Sequence, residues 1–220
     1  MNEMNVAKIL ITSILAAVIS GGISFLTNKY YRNRFGEKLF EDRKKMIIAV
    51  MTALMSAGAS VVFSMYGYGI IHSLCYNVLI SGLVMIGVID RKQMVIPNAI
   101  LLALLGIRVV GIAGEIIVDG ARWNEVLISA VFGVVLGTVI FILIRLFNRS
   151  SIGMGDIKLF AIIGLYIGSG SVLQALFITS VFSLIYGVIQ IARHTITKKD
   201  TMSFGPFIAA GTILVMILGI

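Results

Sequence analysis

The sequence is poor in cysteine, proline and charge. Its 220 residues include one cysteine, Cys75, and two prolines, and charged residues make up only 13%. A single cysteine excludes an intramolecular disulfide and a Cys-x-x-Cys zinc site. No nucleotide-binding loop or Ser-His-Asp set occurs, and His72 and His194 lack metal-ligand companions. We therefore expect no metal site in this chain.

Apolar residues, by contrast, are abundant. Hydrophobic residues make up 59% of the chain and the mean hydropathy is +1.04, whereas soluble domains are about 45–50% apolar. Most apolar runs are unbroken over about 17–21 residues, which fits membrane-spanning helices and not the alternating strands of a barrel. The sequence predicts an all-α polytopic membrane protein with a single membrane-embedded domain over residues 1–220.

The apolar segments predict a bundle of about eight transmembrane helices. They are 9–26, 46–66, 70–89, 99–118, 126–144, 157–167, 172–191 and 204–220. The joints at 66–69 and 168–171 contain the glycine and serine clusters typical of tight turns. We expect the first segment to be a retained helix and not a cleaved signal peptide.

The distribution of basic residues supports this count. If eight segments alternate sides, fifteen of the eighteen Lys and Arg residues fall on one face, as the positive-inside rule expects of the cytoplasmic face. Both termini would then lie outside. The net charge of +8 is explained in this way without a nucleic-acid partner.

Two carboxylates stand at the ends of apolar runs. Asp90 follows the third segment and Asp156 precedes the sixth, and the charge pattern predicts both at the cytoplasmic face. An acid at a membrane boundary is costly, so it is by default a candidate functional residue. The alternative is that each is an interfacial acid paired with Arg91 or Lys158, or a simple helix cap.

Two neighbouring carboxyl groups can hydrolyse a peptide amide. The ionised one activates water while the protonated one polarises the carbonyl, and two close like charges readily share one proton. A helix C-terminus disfavours an anion and an N-terminus favours one. We therefore expect Asp90 to hold the proton and Asp156 to start ionised.

The sixth segment is short for a membrane crossing. Asp156 to Gly170 is fifteen residues, or about 22 Å of helix, against a hydrocarbon core of about 30 Å. Either the bilayer thins there, or the helix begins below the cytoplasmic surface. In the second case residues 153–156 enter the membrane as non-helical backbone that is buried in protein or lines a wet cavity. Gly153 and Gly155 would then admit an extended substrate strand beside Asp156. The plainer interpretation is a helix-entry turn.

Four further features accompany the aspartates. The Pro97-Asn98 pair predicts the start of the fourth helix, and the Gly205-Pro206 pair predicts the start of the last one. Lys158 is expected to tune the aspartates or bind a substrate carbonyl, or simply to extend to the interface. Arg108, inside an apolar segment, is expected to reach the interface or to satisfy a packed carbonyl.

Three blocks in this order resemble the type IV prepilin peptidases, membrane aspartic proteases of the GxGD type. The blocks are Asp90 with Ile96-Pro97-Asn98, then Gly153-Met-Gly155-Asp156-Ile-Lys158-Leu159, then Phe204-Gly205-Pro206-Phe207-Ile-Ala209. The resemblance implies catalytic aspartates at Asp90 and Asp156. It implies cleavage of the short basic leader of prepilin or pseudopilin-like substrates at the cytoplasmic face of a bacterial or archaeal plasma membrane.

The segment after the first helix departs from that family. In many members this segment is long, carries paired Cys-x-x-Cys motifs and accompanies methylation of the new N-terminus. Here residues 27–45 form a short, basic, cysteine-free segment, interpreted as a cytoplasmic loop in place of a zinc-binding methylation domain. We expect a peptidase without a cofactor, with S-adenosylmethionine needed only if methylation is retained. The basic loop is expected to contact anionic membrane lipid.

Two rival functions use the same residues. A small proton- or cation-coupled transporter would relay protons or bind a cation through Asp90 and Asp156, and internal inverted repeats would favour it, but none is evident. An inactive assembly partner would keep the helices without the chemistry. The presence of both aspartates disfavours that second rival.

Overall fold

The computed structural model describes residues 3–36, 38–147, 153–194 and 202–220. Seven helices and no strand occur in these ranges. They are α1 (Glu3–Phe35), α2 (Asp42–Met65), α3 (Ile70–Gln93), α4 (Asn98–Ile117), α5 (Trp123–Phe147), α6 (Met154–Ala192) and α7 (Gly205–Leu218). Arg149, Lys198 and Lys199, which contributed to the predicted charge pattern, lie outside the described residues.

The predicted all-α membrane class is confirmed, but the helix count differs. Six helices, α1 to α6, are long and apolar enough to cross a membrane, and α7 is a shorter apolar helix. The protein is therefore multi-pass. The expected eight helices become seven in the described ranges because the segments 157–167 and 172–191 both belong to α6.

A kink at Gly168 divides α6 into two arms. Gly168 has φ 73° and ψ −175°, a conformation that only glycine adopts easily. Gly137 of α5 lies against both Phe160 and Val172, although twelve residues of continuous helix would separate these two by about 18 Å. The chain therefore turns back at Gly168, and a single residue performs the reversal that the sequence assigned to 168–171.

The chain divides into two compact units. Unit 1 comprises Met1–Met85 and Leu102–Leu127, and unit 2 comprises Ile86–Leu101 and Ile128–Ile220. The prediction of a single functional domain over the whole chain stays a prediction.

Unit 1 has a polar interior. The hydroxyl of Ser20 on α1 donates to Ser56 on α2 at 2.6 Å and accepts from Ser81 on α3 at 2.7 Å. The amide of Asn77 donates to Ser60 at 2.9 Å. Small and hydroxyl-bearing residues let membrane helices approach closely and form hydrogen bonds with each other. These hydrogen bonds help to hold α1, α2 and α3 together, because the hydrophobic effect contributes little between helices that lipid surrounds.

Unit 2 is built from close helix contacts. Gly133 of α5 and Gly164 of the first α6 arm lie backbone to backbone. The second arm runs antiparallel to α7, because Thr179 contacts Gly211 while Tyr186 stacks near Phe207 with ring centres 5.2 Å apart. The start of the first arm, the end of the second and the start of α7 consequently lie at one end of this unit.

The basic segment 27–45 is largely helical, and its interpretation as a short cytoplasmic connection in place of a methylation domain stays a prediction. Helix α1 continues to Phe35 and α2 begins at Asp42, so the described non-helical residues between them are Gly36 and 38–41. The apolar run that ends at Leu26 predicted an end to the helix. The polar residues that follow form helix as readily, so the helix ends only at Gly36, which has φ 72°.

Candidate active site

Asp90 lies in the last turn of α3 and is only 6% exposed. Its carboxylate accepts a hydrogen bond from the backbone N–H of Gly205, with Oδ2 and N 2.8 Å apart. Gly205 is the first residue of α7, and Pro206 follows within the first turn. The predicted helix start at the Gly205-Pro206 pair is confirmed, and that start donates directly to a candidate catalytic carboxylate.

Glycine at position 205 leaves the space that Asp90 occupies. A Cβ atom at Gly205 would lie 2.8 Å from both Cβ and Oδ2 of Asp90, closer than side chains pack. One helical turn earlier in α3, Gly87 allows similar closeness, since a Cβ there would lie 3.2 Å from the Cα of Pro206. The ends of α3 and α7 therefore approach each other because both contact positions lack side chains.

Asp156 lies in the first turn of α6 and is partly buried. Gly153 is the N-cap residue, and its N–H donates to Oδ2 of Asp156 at 3.1 Å. Met154, Gly155 and Asp156 are helical. The alternative in which residues 153–156 form non-helical backbone is therefore not observed, because the carboxylate bond back to Gly153 starts the helix directly after that residue. The plainer interpretation, a helix-entry turn, is the observed one.

The charge of Asp90 acts on the carboxyl group of Asp156, although the hydrogen bonds of the two carboxylates go to Gly205 and Gly153 and not to each other. Within the described ranges, neither carboxylate forms an ion pair with a Lys or Arg side chain. The alternative in which Arg91 or Lys158 neutralises an interfacial acid is therefore not observed. Two like charges that interact without a cation disfavour the ionisation of both groups together.

The remaining motif residues support the entry to α6 and α4. The carbonyl of Pro97 accepts the N–H groups of Ile100 and Leu101, which confirms that α4 starts at Asn98. Lys158 donates to the side-chain oxygen of Asn98 at 3.1 Å. The motif residues that flank Asp90 and Asp156 in the sequence are thus joined by a direct hydrogen bond.

Two contacts in this region could not be predicted from the sequence. Ile96 packs against the start of α6, where a Cβ at Gly155 would lie 3.0 Å from the Cβ of Ile96. Met94 closes α3 with φ 51° and donates its N–H to the carbonyl of Asp90 at 2.8 Å. Glycine or asparagine usually marks such a position, and a methionine gives no such indication.

The chemistry available to this site is acid–base hydrolysis by two carboxyl groups. In the described part of the chain no group of three or more His, Cys, Asp and Glu side chains could hold a metal ion. An ionised carboxylate can take a proton from water while its protonated partner donates a hydrogen bond to the carbonyl under attack.

Comparison with known proteins finds similarity to leader peptidases. Residues 77–188 match the family model described as the type IV leader peptidase family. A prepilin leader peptidase/N-methyltransferase of Bacillus subtilis (strain 168) is 31% identical over 142 residues, which are 64% of this chain and 54% of that protein. A protein of the same description from Xanthomonas campestris pv. campestris is 27% identical over 148 residues, 67% of this chain and 48% of that protein.

A third relative covers more of the chain. The type 4 prepilin-like proteins leader peptide-processing enzyme of Escherichia coli O78:H11 is 28% identical over 183 residues, 78% of this chain and 60% of that protein. These matches span between 48% and 60% of the relatives' own lengths. No solved structure matches the chain significantly.

Proposed function

This chain belongs to the type IV leader peptidase family, whose model matches slightly more than half of it, and on that premise we propose that it is an aspartic endopeptidase. The proposed substrates are prepilin or pseudopilin-like proteins, from which it removes the short basic leader. The observation that carries the proposal is the pair formed by Asp90 and Asp156, two interacting carboxyl groups without a described counter-cation.

The proposed reaction uses one water molecule and both aspartates. The ionised carboxylate takes a proton from water as its oxygen attacks the scissile carbonyl carbon, and the protonated carboxyl donates its proton to the carbonyl oxygen. The tetrahedral intermediate collapses when the C–N bond breaks. The leaving amine takes a proton from the first carboxyl group, and one hydroxyl of the intermediate returns its proton to the second carboxylate as the carbonyl group of the new carboxylic acid forms. Both products leave, and the dyad again holds one proton. This sequence needs no cofactor.

Two backbone donors hold the dyad in place. The N–H of Gly205 bonds Asp90 and the N–H of Gly153 bonds Asp156, so each carboxyl group keeps its second oxygen for water or substrate. Backbone groups at helix starts move little, and such fixed donors keep the reacting groups oriented. The glycines of the motif are accordingly assigned to positioning the aspartates.

The proposed location is the plasma membrane with the site facing the cytoplasm. The basic residues Arg91, Lys92 and Lys158 lie near the two aspartates in sequence, and the positive-inside rule assigns such residues to the cytoplasmic side. A basic leader would meet the carboxylates on that side.

Methyl transfer is a separate activity that appears in the names of two of the relatives. We expect S-adenosylmethionine to be required only if this chain also methylates the new N-terminus. The mass of the mature N-terminal peptide, measured after cleavage in the presence of S-adenosylmethionine, distinguishes cleavage alone from cleavage with methylation.

Co-expression with a prepilin-like substrate tests the peptidase proposal. Asp90→Ala and Asp156→Ala are each expected to abolish leader removal, read as a mobility shift on a gel, while the enzyme reaches normal levels in the membrane. Glu125→Gln is the matched control, because Glu125 is an exposed acid paired with Arg122 and its loss should leave cleavage unchanged.

Normal leader removal by either aspartate variant would overturn the dyad. Proton or cation flux into vesicles that is lost in both variants, without any cleavage by the wild type, would support the transporter instead.

A further inference from the structure

A basic cavity in unit 1 lies between α1 and the start of α2. It has a volume of about 280 Å³ and is lined by Phe25, Asn28, Lys29, Arg32 and Lys45. The first four residues are spaced i, i+3, i+4 and i+7, which puts them on one face of α1. Lys45 faces them from the first turns of α2, with its Nζ 4.5 Å from the ring centre of Phe25.

Three cations converge on this small volume. Within the described ranges no carboxylate forms an ion pair with Lys29, Arg32 or Lys45, and the segment 27–45 holds seven basic against three acidic residues. Like charges that share a cavity repel each other, so an anion placed among them is stabilised by all three. A phosphate group, with several acceptor oxygens, suits the lysine and arginine donors.

One further lining group is unsatisfied. Asn28 is 9% exposed, and its side-chain oxygen has no hydrogen-bond partner. A buried acceptor without a donor costs roughly 1–3 kcal/mol. A ligand that brings a hydroxyl group beside its phosphate would provide the missing donor.

The position on the helix indicates where such a ligand comes from. The cavity follows directly on the apolar run that ends at Leu26, and Phe25, Leu26 and Met46 expose 56%, 63% and 65% of their surface. Basic residues at the end of an apolar run lie at the level of lipid headgroups, and basic pockets between helices bind anionic headgroups. Exposed apolar side chains beside the cavity would contact the acyl chains.

We propose that this cavity is a binding site for the phosphate headgroup of an anionic phospholipid. Lys29, Arg32 and Lys45 bind the phosphate oxygens. Asn28 accepts a hydrogen bond from a headgroup hydroxyl, which makes a phosphoglycerol headgroup the preferred ligand. The site is separate from the aspartates, so its test does not depend on peptidase activity.

Native mass spectrometry of the full chain in detergent tests the proposal. The protein is titrated with phosphatidylglycerol, with phosphatidylmethanol, which is also a singly charged phosphodiester but has no headgroup hydroxyl, and with zwitterionic phosphatidylcholine. We expect the affinity order phosphatidylglycerol, phosphatidylmethanol, phosphatidylcholine. The double variant Lys29→Gln/Arg32→Gln should bind phosphatidylglycerol about 30-fold more weakly, and Asn28→Ala should abolish the preference over phosphatidylmethanol.

The control is the double variant Arg43→Gln/Lys44→Gln. It removes the same charge from the same basic segment, but neither residue lines the cavity, so its affinity should stay within about twofold of the wild type. Equal losses in the two double variants would overturn a discrete site in favour of diffuse attraction. Inorganic phosphate that displaces the lipid at equal concentration would overturn the lipid assignment, and melting temperatures confirm that each variant is folded.

Discussion

Two groups of charged side chains in this chain differ in their composition. In unit 1, Arg108 and Glu115 are 3% and 2% exposed and form an ion pair, and His72 joins Glu115 through Nδ1 at 3.1 Å. In unit 2, Asp90 and Asp156 have like charges, and no described cation forms an ion pair with either.

The difference separates a structural role from a catalytic one. Removing charge from water is costly, and an opposite charge with good hydrogen bonds offsets that cost. The cluster of Arg108, Glu115 and His72 is compensated in this way, so its expected role is to hold α3 and α4 in register. Asp90 and Asp156 accept backbone hydrogen bonds but have no opposite charge beside them in the described ranges. Like-charged pairs of this kind are typical of functional sites.

Asparagine substitutions at the aspartates should have the largest effect on activity. Asp90→Asn and Asp156→Asn each remove one acid–base group but keep the shape, so kcat/KM for leader removal should fall about 10²- to 10⁴-fold. Thermal unfolding in detergent should change little, because each variant removes a repulsion. A variant that unfolds at much lower temperature would assign the aspartate to structure and remove the contrast with unit 1.

The same pair of variants tests the protonation roles. If Asp90 holds the proton, Asp90→Asn keeps an N–H donor for the carbonyl and should retain more activity than Asp156→Asn. Equal losses leave a fully shared proton as the better description. Greater residual activity in Asp156→Asn would reverse the assignment.

Glu115→Gln should have the next largest effect, and on stability instead of activity. It removes the carboxylate that pairs with the buried Arg108, and the loss of one partner of a buried ion pair typically costs about 3–5 kcal/mol. We expect a lower unfolding temperature but nearly normal cleavage per folded molecule. Loss of cleavage at full stability would show that unit 1 takes part in the chemistry.

A double variant tests whether the loss of stability in Glu115→Gln comes from the uncompensated charge of Arg108. Arg108→Met/Glu115→Met removes both charges and keeps the volume similar, and apolar replacement of a buried ion pair is often neutral or stabilising. Its stability should therefore exceed that of Glu115→Gln alone. A double variant less stable than Glu115→Gln would mean that the ionic cluster contributes more than mutual charge compensation.

Gly205→Ala tests how closely Asp90 is held. The new Cβ would lie 2.8 Å from the carboxylate oxygen, so the carboxyl group must shift, and a shift of about 1 Å can cost roughly 10²-fold in rate. Gly170→Ala is the matched control, since a Cβ there has nothing within 4 Å. Equal cleavage by the two variants would contradict the proposed positioning by the α7 start.

Local signals explain which parts of the fold the sequence predicted. The starts at Asn98 and Gly205 are marked by proline, and the ends of apolar runs mark Asp90 and Asp156. The reversal at Gly168 was expected to need four residues. Helix resumes directly after one glycine with positive φ, and residues 169–171, which the sequence assigned to the turn, are helical.

The partners of charged residues were harder to predict. Arg108 and Glu115 are seven residues apart, two helical turns on one face, and this spacing was a usable signal that was missed. The contacts of Gly205 with Asp90 and of Lys158 with Asn98 join residues 115 and 60 positions apart. No local pattern contains such pairings, so they depend on how the helices pack.

Loss of the hydrogen bond between Lys158 and Asn98 should have the smallest effect on activity of the changes considered. Both side chains are exposed, and an exposed charged contact contributes up to about 1 kcal/mol. Lys158→Met and Asn98→Ala should therefore each lower kcat/KM by up to roughly fivefold, and the double variant should be no worse than either alone. Lys44→Met, at an exposed lysine paired with Glu41, is the control for loss of a positive charge.

Additive losses in the double variant would mean that Lys158 and Asn98 act independently, for instance if Lys158 binds the substrate directly. A coupled loss without any change in stability would instead assign the pair to holding the starts of α4 and α6 together beside Asp156, so that even an exposed contact of unit 2 serves the dyad.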